Sequence, residues 1–110
     1  MDKRRDERFP IHFRSVLSST NIGDYVGIAL DLSPRGCRIQ SEMTILVGMR
    51  LALRITVPDQ NSPIQIERGT VRWSKGQEFG VEFIAIRSRD GERLRQLIQT
   101  LGENPRLESL

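Results

Sequence analysis

Between residues 9 and 85 the chain repeats one pattern, short runs in which apolar and polar residues alternate, and this constrains the fold more than any other feature. Period-2 alternation is the mark of a strand with one buried face. Ile11, Phe13 and Leu17 predict a first strand to about Leu17, and Val26, Ile28, Leu30 and Leu32 the core face of a second. Asp31 then points away from that core. Cys37 and Ile39 continue on a third strand, and Leu51, Leu53, Ile55 and Val57 give the cleanest alternation, on a fourth. Ile64 and Ile66 open a fifth, but Val71 and Trp73 fall on the opposite parity, so a bulge near Gly69 is expected to return both to the core. Phe79, Val81 and Phe83 define a sixth. Six strands with single apolar faces and mostly short connections can bury those faces by curling into a small barrel.

The connections carry turn chemistry. Ser33-Pro34-Arg35-Gly36 is a tight turn between the second and third strands, with Pro presetting φ and Gly free to take φ > 0. Residues 18 to 24 and 42 to 50 read as loops, Pro58 to Pro63 stops the fourth strand, and Lys75 to Glu78 turns the fifth into the sixth. From about Asp90 the period changes: Leu94, Leu97, Ile98 and Leu101 predict an amphipathic helix, with Asp90 as N-cap and Gly102 as its stop. Its apolar stripe is expected to cover a flank or opening of the barrel. The expected architecture is mainly β, a single domain over residues 9 to 102, preceded by a flexible arginine-rich arm (1 to 8) and followed by a tail (103 to 110).

At 110 residues the chain suits one core. No apolar run approaches the ~20 residues that span a bilayer, and the first residues are charged instead of forming a secretory apolar segment, so a cytoplasmic protein without membrane insertion is expected. Cys37 is the only cysteine and fits a small buried residue better than a redox centre. One His and one Cys without clustered carboxylates cannot make a conventional zinc site, and His12 is expected to face solvent without a function. No metal or cofactor is expected.

Two polar clusters stand out. Lys3-Arg4-Arg5-Asp6-Glu7-Arg8 contains Arg4-x-x-x-Arg8, and the central turn contains Asp31-x-Ser33-x-x-Gly36. Alone, the first reads as a solvated charge run and the second as a turn bonded to its own backbone. In this order, ahead of a strand-rich region ending in a helix, they resemble the PilZ family of cyclic di-GMP receptors. The resemblance covers roughly Arg4 to Leu101 and implies a six-stranded antiparallel barrel that binds this ligand without catalysis. It also implies a downstream protein partner in motility, surface attachment or exopolysaccharide production.

The residue types suit that chemistry. Guanine offers paired acceptors on one edge, which Arg reads bidentately, and paired donors on another, which a carboxylate accepts. Asp31 is the candidate for the donor edge, Ser33 for the base or a phosphate oxygen, and Gly36 for close approach of a flat ring. Arg4 and Arg8 are candidates for pairing with the phosphates and stacking on guanine, assisted by Arg5. Arg35, Arg38 and Trp73 are secondary candidates, Trp73 also reading as a core aromatic. An alternative class is a basic barrel for single-stranded nucleic acid, consistent with a pI near 9.7, but one Trp, one Tyr and four Phe leave few stacking platforms. A degenerate PilZ-like interaction module is a further alternative, opposed by the complete motifs. An enzyme fits worst, because no nucleophile has a recognisable base.

Overall fold

The structure, a computed structural model, describes residues 7 to 20 and 22 to 103. The expected arm therefore lies outside the described residues except for Glu7 and Arg8, as does the tail except for Glu103. Six strands, β1 (Phe9–Ser19), β2 (Gly23–Ser33), β3 (Gly36–Gln40), β4 (Arg50–Ile55), β5 (Ile64–Lys75) and β6 (Glu78–Ala85), precede one helix, α1 (Ser88–Glu103). The strands close into an antiparallel barrel in the order β1-β2-β3-β6-β5-β4, with β4 pairing back onto β1. Leu17, Leu32, Ile39, Leu51, Leu53, Ile55, Ile64, Ile66 and Phe79 fill the interior, each at most 2% exposed. The expected fold class stands.

Two stretches depart from simple alternation. On β2 the inward residues are Gly27, Ala29 and Leu32, whereas Val26 is 53% exposed and Ile28 and Leu30 are only partly covered. The expected inward face of Val26, Ile28 and Leu30 is therefore corrected. The β2–β3 register supplies the reason: Ala29 faces Ile39 and Asp31 faces Arg38, so Leu30 is an extra residue at a bulge and the parity inverts across it. Space decides which half faces in, since a Cβ added at Gly27 would already lie 2.9 Å from the Ile39 side chain and 3.0 Å from the Gln40 carbonyl oxygen.

On β5 the expected irregularity at Gly69 is present, but a second shift follows between Val71 and Trp73. Val71 is buried, whereas Trp73 is 41% exposed, so the expectation that both return to the core holds only for Val71. Arg72 is the extra residue there, and it turns Trp73 to the outer wall.

The stripe Leu94, Leu97 and Leu101 is buried where α1 packs on β5 and β1. The helix starts two residues before Asp90, with the Arg87 carbonyl accepting from Gly91 N at 2.8 Å. Asp90 is thus inside the first turn and not the cap; its Oδ1 accepts from Gln65 N and from Arg93 Nη1, both at 3.3 Å, which ties the helix to the barrel. Gly102 does not stop the helix but continues it to Glu103.

Candidate functional site

The two bulges set up the outer wall of β2, β3, β6 and β5. In successive register pairs Asp31 faces Arg38, Arg38 faces Gly80, and Gly80 faces Trp73, so these four residues form one row across four strands. The adjacent row runs Ser33, Gly36, Glu82, Thr70. Directly paired residues share a face of the sheet. Gly36 and Gly80, one in each row, leave a low floor between flanking polar side chains. Above it lies an open cleft of about 450 Å³ lined by Arg8, Ser33, Arg35 and Gly36 on one side and by Arg72, Trp73, Gly80 and Glu82 on the other.

Asp31 organises the first side. Its Oδ1 accepts from Arg38 N at 2.9 Å and from Arg8 Nη1 at 3.0 Å, and its Oδ2 accepts from Arg38 Nε at 3.3 Å. Arg38 Nη1 also donates to Glu78 Oε1 at 2.9 Å. Beside a bulge, Arg38 N has no regular ladder partner, and the carboxylate supplies one. Arg8 and Asp31, separated by 23 positions in sequence, are thus joined at the edge of the cleft.

Ser33 is 3% exposed. Its hydroxyl accepts from Gly36 N at 3.2 Å and Arg35 N at 3.3 Å, and donates to the Gly36 carbonyl at 3.2 Å. One donor and two acceptor positions are all a hydroxyl has, so the turn takes its whole capacity and Ser33 shapes the backbone that borders the cleft. Gly36 is not among the residues at positive φ. Close strand approach requires glycine there instead, since an added Cβ would land on the Val81 carbonyl oxygen of β6. At Gly80 an added Cβ would land on the Trp73 indole, so the ring lies over this glycine and its remaining surface is open to the cleft.

Of the sequence-predicted residues, the structure brings together Arg8, Asp31, Ser33, Gly36, Arg35, Arg38 and Trp73; Arg4 and Arg5 lie outside the described residues. Sequence reasoning missed Gly80, Arg72 and Glu82. Arg72 donates to Glu82 Oε1 from Nε at 2.7 Å, and its Nη2 lies 2.6 Å from the same oxygen. Only the glycine opposite an aromatic offered a signal; the ion pair looks like any two exposed charges. Cys37 lies behind the site, fully buried. Burial drives its thiol pKa well above the ordinary range, with the charge of Asp31 adding to the effect and that of Arg8 opposing it. Among the described residues no group of three or more His, Cys, Asp or Glu could hold a metal ion. No helix among them is long and apolar enough to cross a membrane.

A PilZ domain matches residues 2–100, and the chain belongs to the PilZ family. Among solved structures it is similar to the Bacillus subtilis inhibitor of motility MotI/DgrA, at 19% identity and a TM-score of 0.72, over 88% of this chain and 50% of that one. It thus spans half the length of that protein. The Escherichia coli YcgR PilZ domain with cyclic di-GMP is similar at 14% identity and a TM-score of 0.72, over 94% of both chains. The PilZ domain of CeSA from a cellulose-synthesizing bacterium is similar at 10% identity and a TM-score of 0.67, over 87% of this chain and 98% of that one. No curated protein sequence matches.

Proposed function

We propose that this chain is a non-catalytic receptor for cyclic di-GMP, working in the cytoplasm and passing the signal to a partner protein. The observation that carries the reading is the junction of the two motifs: Arg8 meets Asp31 at 3.0 Å beside a glycine-floored cleft with Trp73 at its far side. A cleft of this size with few convergent polar groups suits a small ligand. A flat base lies on the floor of Gly36 and Gly80 against the indole, Asp31 accepts from a guanine donor edge, and Arg4, Arg8 and Arg38 meet the phosphates. Ser33 acts through the turn it holds. Family membership supports this, as does similarity to a YcgR domain solved with cyclic di-GMP.

Signalling follows from the position of Arg8, which lies at the end of the N-terminal segment and bonds to Asp31 across the cleft edge. Ligand phosphates compete for Arg8 and draw residues 2 to 8 over the cleft, which changes the surface offered to a partner. Similarity to a motility inhibitor supports motility as one such output.

Calorimetric titration with cyclic di-GMP, with cyclic di-AMP and GTP as controls, tests the reading. Saturable binding of cyclic di-GMP at least tenfold tighter than either control is expected, and heats indistinguishable from dilution would overturn it.

A further inference from the structure

A cyclic di-GMP molecule carries two guanines, and the motif residues on the β2–β3 side of the cleft provide one carboxylate, Asp31. We infer that the Arg72–Glu82 pair, on the β5–β6 side, reads the second guanine, an inference that rests on the receptor assignment above. Glu82 lines the cleft in the row of Ser33 and Gly36, and its side chain is 44% exposed. Both contacts from Arg72 fall on Oε1, so that Oε2 and Arg72 Nη1 carry no hydrogen bond among the described residues. One acceptor and one donor are therefore left for a ligand at the edge of the floor formed by Gly80 and the indole of Trp73.

A carboxylate lining a site for a dianion needs a reason to be there. Left bare, it repels the phosphates and weakens binding. The repulsion is offset when Arg72 neutralises the charge and the remaining oxygen accepts from guanine N1–H and the 2-amino group. The cleft then has an acid–arginine pair on each side of its floor: Asp31 with Arg8 and Arg38, and Glu82 with Arg72. A ligand with two-fold symmetry and a guanine at each end matches that arrangement. Adenine in either place offers no N1–H and no 2-amino group, so each pair rejects it separately. Arg72 is here a positioning residue, which holds the Glu82 carboxylate fixed against the wall of the cleft.

The mixed dinucleotide cyclic GMP-AMP separates the two ends. In calorimetric titrations the wild-type chain is expected to prefer cyclic di-GMP over cyclic GMP-AMP by about tenfold, and cyclic GMP-AMP over cyclic di-AMP by a similar factor. Glu82→Gln presents an amide that matches adenine as well as guanine, so the first ratio falls to about one while the second persists through Asp31. Arg72→Ala lowers the first ratio in the same direction, by less. The pair is exposed, so both variants should melt close to wild type. An unchanged cyclic di-GMP to cyclic GMP-AMP ratio in Glu82→Gln, or a wild type that does not distinguish the two, overturns this assignment while leaving the receptor reading intact. A wild type that binds none of the three overturns both.

Discussion

Gly36→Ala probes whether this motif glycine serves the ligand or the barrel. The added Cβ would land on the Val81 carbonyl oxygen, and that oxygen belongs to the β6 backbone, which cannot rotate away. Strands β3 and β6 must separate, at a cost of about 1 to 3 kcal/mol for overpacking. Moving Gly36 also strains the three hydrogen bonds of the Ser33 hydroxyl, two of which end on Gly36. Losing one of them adds about 0.5 to 1.5 kcal/mol, for a total of about 2 to 4. With a urea m-value of about 2 kcal/mol/M the unfolding midpoint falls by about 1 to 2 M. Gly80→Ala is the matched control. There the Cβ meets a side chain, the Trp73 indole, which is partly exposed and can swing outward. That variant should keep most of its stability and lose ligand affinity, because the ring leaves the floor. Urea titration followed by circular dichroism, with calorimetry on whatever remains folded, separates the two. A Gly36→Ala midpoint equal to wild type would refute the close-approach argument, and so would a Gly80→Ala midpoint that falls as far as that of Gly36→Ala.

Further outcomes follow from single contacts. Arg8→Ala should weaken cyclic di-GMP at least tenfold, since a charge-assisted hydrogen bond contributes about 1.5 to 3 kcal/mol, while costing about 1 kcal/mol or less in stability because the Arg8 side chain is half-exposed; a large fall in melting temperature would contradict this. Asp31→Ala should cost about 1 to 3 kcal/mol of stability as well as affinity, because it strips Arg38 N of its acceptor, and chemical denaturation reads this directly. Native Cys37 should resist a thiol reagent that labels the unfolded chain stoichiometrically. Its raised pKa keeps the folded thiol protonated where the unfolded one ionises. Above about pH 8.5 wild-type stability should therefore fall relative to Cys37→Ala, by up to about 1.4 kcal/mol per pH unit, and parallel pH profiles would refute the burial effect. Amide exchange through residues 2 to 8 should slow on ligand saturation more than in the barrel strands, and equal change in both would count against the arm as the switch.

Alternation made most of the barrel readable, because Phe13, Leu17, Ile39, Leu51, Leu53 and Ile55 obey one parity without interruption. The helix was equally plain from Leu94, Leu97 and Leu101. Asp31 was placed outward by reasoning that was wrong about Val26 and Ile28: an uninterrupted alternation and a bulged one with the opposite start give the same face at Asp31. What distinguishes them is the room beside Ile39, a tertiary quantity with no local trace. Trp73 failed for the same cause, as the second shift on β5 has no signature beyond an arginine between two apolar residues. The motif spacing pointed to the right turn but not to the division of labour inside it, in which Ser33 and Gly36 are occupied with the backbone. Arg72 and Glu82 were illegible because their significance comes from β5 and β6 lying side by side.

The extra residues at Leu30 and Arg72 make the site depend on arithmetic as well as chemistry. Each bulge acts as a one-residue frame shift in strand pairing: paired without the bulge, β2 would set Leu30 against Arg38 and carry Asp31 to the opposite face, and β5 would set Arg72 against Gly80 and do the same to Trp73. Such a slip leaves every motif residue in the chain, yet empties the cleft of its carboxylate or its ring. Substitution scans cannot sample that dependence. A pattern match to the motif alone cannot detect it either, because the site is encoded in the number of residues between its parts as much as in their identities.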